Sequence, residues 1–303
     1  MNTQLLVADD FTRWWSAAFD LRRTSHRTFE NAPPPPIFDS LYGGQIAAQL
    51  LVAAAHTVSG DRHPHSLHTS FVRPGNPRTP TEFDVATTRE SRSLSTRHVQ
   101  ANQGGRTIAI ATVSFHAVDT GAKPAAIAHE RGTAENEMPA PEQLPERLAL
   151  VKNLGGIDST AFDRWPVDVR YVDHLPWDVR HEAGVDACNR LWLRTVGDIP
   201  EVPGRAEAAM TLATDLLMYE PVLFPTHVSW IEAWDNKRLG TFSIDHVLWF
   251  HRSTSPGEWL SVEQVSPIAD RGRGFSQMVV RNSDRRIVAS VAQGVLLLDT
   301  AAK

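Results

Sequence analysis

Cysteine is almost absent from this chain: Cys188 is the only one among 303 residues. A single cysteine cannot form an internal disulfide, and we expect Cys188 to be a small packing residue rather than a nucleophile. No apolar run is long enough to span a membrane, and the N-terminus lacks the charged-then-apolar layout of a secretory leader. These absences predict a cytoplasmic protein.

An excess of positive charge is also missing. The chain has 30 Lys and Arg against 35 Asp and Glu, for a net charge of −5. A nucleic-acid-binding protein usually has a basic patch, so we expect no nucleic-acid partner. The apolar fraction of 42% is sufficient for a large core, and the length favours two domains over one.

Several catalytic signatures are absent as well. There is no Gly-x-Ser-x-Gly nucleophile elbow and no Walker loop, and the run from Gly272 to Gln277 lacks the last glycine of a dinucleotide-binding pattern. His63, His65 and His68 are close in sequence, but no acidic or Cys partner completes a tetrahedral metal site. On a strand the first two would face one way and His68 the other. We therefore predict packed or surface histidines and no metal.

What is present is an internal repeat. The stretch from Arg92 to Ser114 predicts two strands joined by a Gly-Gly hairpin turn, and the stretch from Arg273 to Gln293 predicts the same pair around Asn-Ser-Asp. Each hairpin follows an alanine-rich apolar helix, at residues 45–57 and about 206–219, and a further strand. The shared order of elements indicates a duplicated helix-plus-sheet unit.

The duplication suggests domain boundaries. We predict an N-terminal unit over residues 1–120 with a leading helix at 11–23, a linker over 121–165, and a C-terminal unit over 166–303. The linker prediction is based on a stretch rich in Pro, Ala, Glu and Gly with little periodicity. The two helices are apolar on most of their circumference, so each is expected to be buried under its own sheet.

Four segments resemble one known family, the type II acyl-CoA thioesterases. They are Tyr42-Gly-Gly-Gln45, His65 to Gly75, Ser91 to Arg97 and Ile244 to Arg252. The resemblance implies an α+β double hotdog fold, in which two antiparallel sheets each wrap around a buried central helix. It also implies hydrolysis of fatty acyl-CoA to free acid and CoA, without metal or organic cofactor, by a homodimer or larger homo-oligomer.

The family's catalytic trio is an Asp, a Thr and a Gln. By position these fall on Asp215, Ser243 and Gln293. Ser243 is a departure, because serine keeps the hydroxyl but lacks the β-branch that stiffens the side chain. A second departure is Gly294, which follows Gln293 directly where the family usually has Glu-Gly.

The residues themselves agree with this assignment. Asp215 interrupts an apolar helical run, and Gln293 shares a strand face with Ala289 and Val291. Buried polar groups of this kind require partners. Direct hydrolysis needs a bound water and a base to take its proton, and a carboxylate beside a hydroxyl and an amide can supply both. The same residues could instead be paired polar groups in a core.

Other residues are weaker candidates for the site. Gly43 and Gly44 begin the first buried helix, whose free N–H groups could stabilise an oxyanion, although glycines there also suit a simple turn. Arg271 and Arg273 could meet the phosphates of CoA or be solvated surface residues. His65 lies within a motif of the resemblance, with no role that the sequence defines.

Two alternative functions remain open from the sequence. One is a hotdog enoyl hydratase or dehydratase, which would need an Asp and a His around the acyl β-carbon. The other is a non-catalytic acyl-CoA or lipid-binding hotdog protein. The first buried helix carries no acidic residue, so the active centre is expected mainly in the second half of the chain.

Overall fold

Two buried helices organise the fold, α2 (Gly43–Ala55) and α5 (Arg205–Asp215). The structure is a computed structural model, and it describes residues 8–117, 138–154, 160–177, 187–226, 228–234 and 239–299. Alanine supplies a large share of both helices, which favours helix formation and allows the two helices to pack closely on each other. The sequence predicted both helices.

The remaining described elements are short helices and longer strands. The helices are α1 (Ala8–Phe19), α3 (Arg147–Asn153), α4 (Thr160–Asp163), α6 (Glu220–Leu223) and α7 (Trp230–Trp234), with 3₁₀ turns at Pro141–Gln143, Leu216–Tyr219 and Phe224–Thr226. The first six strands are β1 (Leu21–Arg23), β2 (Thr28–Asn31), β3 (Arg62–Phe71), β4 (Thr81–Glu90), β5 (Leu94–Gln103) and β6 (Arg106–Ala117). The other strands are β7 (Val167–Tyr171), β8 (Cys188–Thr195), β9 (Leu239–Ser243), β10 (Asp245–Phe250), β11 (Leu260–Asp270), β12 (Arg273–Arg281) and β13 (Ile287–Asp299).

The strand order shows the duplication directly. The sheet runs β1-β2-β4-β5-β6-β3-β10-β13-β12-β11-β8-β7, with β9 paired to β13. The block β2-β4-β5-β6-β3 has the same order as β8-β11-β12-β13-β10, with α2 and α5 at equivalent places in the chain. The halves join through antiparallel pairing of β3 with β10. The two predicted hairpins, β5–β6 and β12–β13, are equivalent elements of this repeat.

Two predictions were wrong, the end of the leading helix and the packing role of Cys188. The leading helix ends at Phe19 instead of residue 23, and β1 follows it because Leu21–Arg23 pairs with β2. Farther along the chain, a break at Ile244 separates β9 from β10. Cys188 is exposed at the start of β8 and is not a packing residue.

Part of the predicted linker is packed into the fold. The described portion of residues 121–165 includes α3 and α4, and Arg147 of α3 is buried. Its guanidinium donates to the buried carboxylate of Glu220 at 2.9 Å, and the hydroxyl of Tyr171 donates to the same oxygen at 2.8 Å. A buried charge needs such partners, so this segment is attached to the C-terminal unit.

Candidate active site

Asp215 is the last residue of α5, and its side chain is buried at 3% exposure. Burial raises the pKa of this carboxyl from 3.8 to about 7, and the backbone N–H of Gly44 and the hydroxyl of Ser243 act in the opposite direction by stabilising the ionised form. Its Oδ1 atom is buried and accepts no hydrogen bond from the part of the chain that the structure describes. A carboxylate with this pKa can take up and release a proton near neutral pH.

Ser243 and Gln293 complete the predicted trio. The Nε2 of Gln293 donates to the Ser243 Oγ at 2.9 Å and lies 3.3 Å from the backbone oxygen of Asp215. Because that hydroxyl accepts from Gln293, its own proton is directed to the carboxylate of Asp215. The structure thus brings together the three residues that the sequence placed in the site, in the order Gln293, Ser243, Asp215.

A β-bulge aims these side chains. Ser243 pairs with Val295 and Val247 pairs with Ala292, so between these pairs three residues of the β9–β10 segment face two of β13. The extra residue lies opposite Gly294. As a result Ser243 and His246, which are three positions apart, both point to the same face as Gln293, which a regular strand could not achieve.

The bulge also explains the glycine after Gln293. The N–H of Gly294 donates to Asp245 Oδ1 at 2.7 Å, and its carbonyl accepts from the N–H of Ile244 at 2.9 Å. A Cβ at residue 294 would lie 3.2 Å from Asp245 Oδ2, which is tight for an ordinary side chain. Glycine therefore suits this place in the strand.

The first half of the chain contributes the N-terminus of α2. The N–H of Gly44 interacts with the Asp215 carboxylate. A Cβ on Gly43 would lie 2.9 Å from Asp215 Oδ2 and 3.1 Å from the Phe71 ring. The positive end of one buried helix thus meets the carboxylate at the end of the other.

Two family models match this chain. The model for the acyl-CoA thioesterase N-terminal domain matches residues 32–116, and the model for the acyl-CoA thioesterase C-terminal domain matches residues 137–297. The chain belongs to the acyl-CoA thioesterase family. The family resemblance predicted from the four sequence segments is confirmed.

Comparisons with individual proteins of this thioesterase family support the same membership. Acyl-coenzyme A thioesterase 8 of Homo sapiens is 30% identical over 84% of this chain and 79% of its own length. Acyl-CoA thioesterase 2 of Haemophilus influenzae is 27% identical over 86% of this chain and 88% of its own length. The solved structure of the acyl-CoA thioesterase II TesB2 of Mycobacterium marinum superposes with a TM-score of 0.72 at 26% identity, covering 95% of this chain and all of that one. The double hotdog prediction is confirmed.

His246 is a neighbour of the trio whose position was missed. Its imidazole is fully buried on the strand β10, with Nε2 3.1 Å from the Thr214 hydroxyl. Burial lowers its pKa to about 4, with the Gln293 side chain partly offsetting that effect. His246 is therefore a neutral residue packed behind Gln293, and its place next to the predicted Ser243 was the available signal.

The three histidines of β3 lie outside the trio. His63, His65 and His68 are all exposed on one side of β3, so the prediction that His68 faces the opposite way was wrong. A register shift between Pro64 and Ser66 reverses the alternation there. His65 packs edge-on against the His116 ring and is not part of the trio. Within the described ranges, no three His, Cys, Asp or Glu side chains are arranged to hold a metal.

Arg271 and Arg273 are at the turn between β11 and β12. Arg271 has a positive φ of 50°, and its exposed side chain lies 3.5 Å from that of Asp270. A surface groove beside this turn is lined by Arg271, Gly272 and Leu297 among others. Leu297 is four residues beyond Gln293 on β13, about 13 Å at roughly 3.3 Å per residue. The two arginines are therefore outside the trio.

No helix in the described residues has both the length and the apolar character that crossing a membrane requires.

Proposed function

We propose that this protein is an acyl-CoA thioesterase that hydrolyses fatty acyl-CoA to free fatty acid and CoA by direct attack of water. The observation that carries the proposal is the hydrogen-bonded series from buried Gln293 through partly buried Ser243 to buried Asp215. Membership of the acyl-CoA thioesterase family supports the substrate class.

Asp215 acts as the general base. In its ionised form it takes a proton from water through Oδ1, while the water oxygen bonds to the thioester carbonyl carbon. The carbon–sulfur bond then breaks, the CoA thiolate leaves, and Asp215 returns its proton to the sulfur. Ser243 and Gln293 hold the water and the carboxylate in line, so no covalent enzyme intermediate is formed.

The negative charge that develops on the thioester carbonyl oxygen during the reaction requires a hydrogen-bond donor. The N-terminus of α2 supplies N–H groups and the positive end of a helix dipole close to Asp215. Gly44 already directs its N–H to Asp215, so Gly43 is the better placed of the two for the oxyanion. A side chain at residue 43 would take up the space in which the thioester must approach the carboxylate.

The CoA phosphates are assigned to the basic turn at Arg271 and Arg273. Exposed guanidinium groups suit phosphates because they can donate two hydrogen bonds to one anion. The groove beside this turn is lined by Leu297 and Asp299 at the far end of β13, the strand that also carries Gln293. His65, on the outer face of β3, has no part in this scheme.

The assembly and location are also proposals. We infer a homodimer or larger homo-oligomer in the cytoplasm, without nucleic acid as a partner and without metal or organic cofactor. We further propose the domain division 1–120, 121–165 and 166–303, with the catalytic trio in the last part and with α3 of the middle part packed on it through Arg147 and Glu220. Analytical ultracentrifugation of the purified protein tests the assembly.

The function is tested by measuring thiol release from acyl-CoAs of graded chain length at pH 5 to 9. We expect turnover, with kcat/KM rising with pH to a plateau about a midpoint near 7, because the base must be ionised and burial raises the Asp215 pKa to about 7. Tight acyl-CoA binding with no thiol release at any pH would identify a binding protein instead. Hydration of enoyl-CoA without thiol release would identify a hydratase.

Ser243 provides a second test. Ser243→Ala removes the donor to the carboxylate and leaves Gln293 Nε2 without its 2.9 Å partner, so we expect kcat to fall about tenfold with little change in KM. Ser243→Thr keeps the hydroxyl and adds the stiffening branch, so it should match or exceed the parent. Equal kcat values for all three proteins would show that this hydroxyl has no role in the reaction.

A further inference from the structure

α5 is interrupted directly after Asp215. In a regular α-helix the N–H of Leu216 donates to the carbonyl of Leu212, four residues earlier. Here the Tyr42 hydroxyl lies between them: it donates to Leu212 O at 2.6 Å and accepts from Leu216 N at 3.1 Å. A side chain inserted into the ladder of hydrogen bonds is a known cause of a helix break.

The break coincides with a change of helix type. α5 ends at Asp215, and Leu216–Tyr219 continues as a 3₁₀ turn. Mid-helix 3₁₀ segments often accompany functional positions. The turn leaves the backbone oxygen of Asp215 3.3 Å from Gln293 Nε2, so both the backbone and the side chain of Asp215 contact the site.

The residues around Tyr42 leave space for its side chain beside α5. Tyr42 is buried and precedes the first residue of α2. A Cβ on Gly44 would lie 2.7 Å from Leu212 O and 2.7 Å from the Tyr42 hydroxyl oxygen. The glycine thus leaves room for the ring to fold back against α5, while its own N–H interacts with Asp215.

We propose that Tyr42 is a positioning residue, whose hydroxyl holds the break in α5 open and thereby aims the Asp215 carboxylate at the N–H of Gly44 and the hydroxyl of Ser243. This inference deepens the proposed thioesterase function and rests on it. Tyr42 acts through hydrogen bonds and not as an acid, because burial raises the pKa of its hydroxyl well above 10.

The titratable groups around the carboxylate are few in the described residues. Tyr42 precedes α2, and Tyr219 ends the 3₁₀ turn; both are electrostatically coupled to Asp215 and to Arg147 of α3. His246 of β10 approaches from the sheet through Thr214 and stays neutral. None of these groups is expected to titrate near pH 7, so the pH midpoint of activity reports on Asp215.

Tyr42→Phe tests the proposal, with Tyr171→Phe as the matched control. Both changes remove one buried hydroxyl, but that of Tyr171 donates to Glu220 at 2.8 Å and not to α5. For Tyr42→Phe we expect kcat to fall about tenfold with KM within twofold of the parent. The pH midpoint should rise by about 0.5 to 1 unit, because the carboxylate loses alignment with the donors that lower its pKa. Tyr171→Phe should lose stability without moving the midpoint.

A crystal structure of Tyr42→Phe gives a readout that is independent of turnover. We expect Leu216 N to bond directly to Leu212 O and the Asp215 carboxylate to move away from Gly44. Parental kcat and pH midpoint in Tyr42→Phe, or an equal shift in Tyr171→Phe, would overturn the positioning role while leaving the thioesterase proposal intact. Absence of thiol release by the parent protein would overturn the thioesterase proposal, and the crystal structure of Tyr42→Phe would then decide by itself whether the hydroxyl positions Asp215.

Discussion

Asp215→Asn is expected to lower kcat for acyl-CoA hydrolysis by a factor of about 10² to 10⁴. The asparagine keeps the shape of the side chain but cannot take a proton from water, and loss of a general base typically has this magnitude. Its amide oxygen can still accept from the hydroxyl of Ser243, so the hydrogen bond to Gln293 should persist. The measurement is steady-state thiol release at pH 8, where the parent carboxylate is ionised.

The same variant is expected to be more stable than the parent at high pH. Below pH 3.8 the carboxyl is protonated in both the folded and the unfolded chain, so it has no differential effect. Between pH 3.8 and about 7 the unfolded chain ionises first, which destabilises the fold increasingly, up to roughly 4 kcal/mol above pH 7. Asparagine avoids this cost.

Urea unfolding at pH 5 and pH 8 measures the stability effect. The gain of Asp215→Asn over the parent should be larger at pH 8 than at pH 5. A folded variant that retains parental turnover would refute the general-base role. A stability gain that is the same at both pH values would instead show that Asp215 is not perturbed by burial.

Gly44→Ala is expected to destabilise the protein, although the change from glycine to alanine usually stabilises a helix. In most helices alanine is more stabilising than glycine by about 0.8 to 1 kcal/mol. At residue 44 the added Cβ would lie 2.7 Å from the backbone oxygen of Leu212 and from the ring of Tyr42. The backbone of α5 cannot move away from this Cβ without strain, so we expect a loss of about 1 to 3 kcal/mol in the free energy of unfolding. The added Cβ would also push α2 and α5 apart at Asp215, so kcat should fall at least tenfold.

Gly60→Ala is the matched control for this experiment. A Cβ at Gly60 meets no atom within 4 Å, and the residue does not have a positive φ. Its effect on the free energy of unfolding should stay within about 0.5 kcal/mol, with parental kcat. If Gly44→Ala were as stable and as active as Gly60→Ala, the close contact between the start of α2 and the end of α5 would not be needed by the site.

Much of the fold followed from local patterns. Both α2 and α5 are rich in alanine and contain long apolar runs, and that pattern needs no tertiary information to indicate burial. The β5–β6 turn has φ values of 54° and 72° at Gly104 and Gly105, the backbone conformation that a Gly-Gly hairpin turn favours. The short strands β1, β2 and β7 were missed because strands of three to five residues carry too little periodicity.

The site was predicted less completely than the fold. Family resemblance located Asp215, Ser243 and Gln293, and the structure brings those three together. The histidines of β3 were misassigned because strict alternation fails at a register shift. The contact of His246 with Gln293 could not be predicted for a similar reason, since only the bulge in β9–β10 turns its side chain toward Gln293.

The sequence by itself determined the duplicated helix-and-sheet units and the burial of both helices, because composition and period are local properties of the chain. The three catalytic candidates came from the resemblance of its motifs to a known family. Only the tertiary structure decided that the start of α2 meets the end of α5, and that Tyr42 enters the backbone of a helix 170 residues away. Those contacts depend on two halves packing against each other, and no spacing along the chain encodes the distance between them. The pKa of Asp215 is likewise a consequence of that packing, because it is burial between the helices and the sheet that raises it.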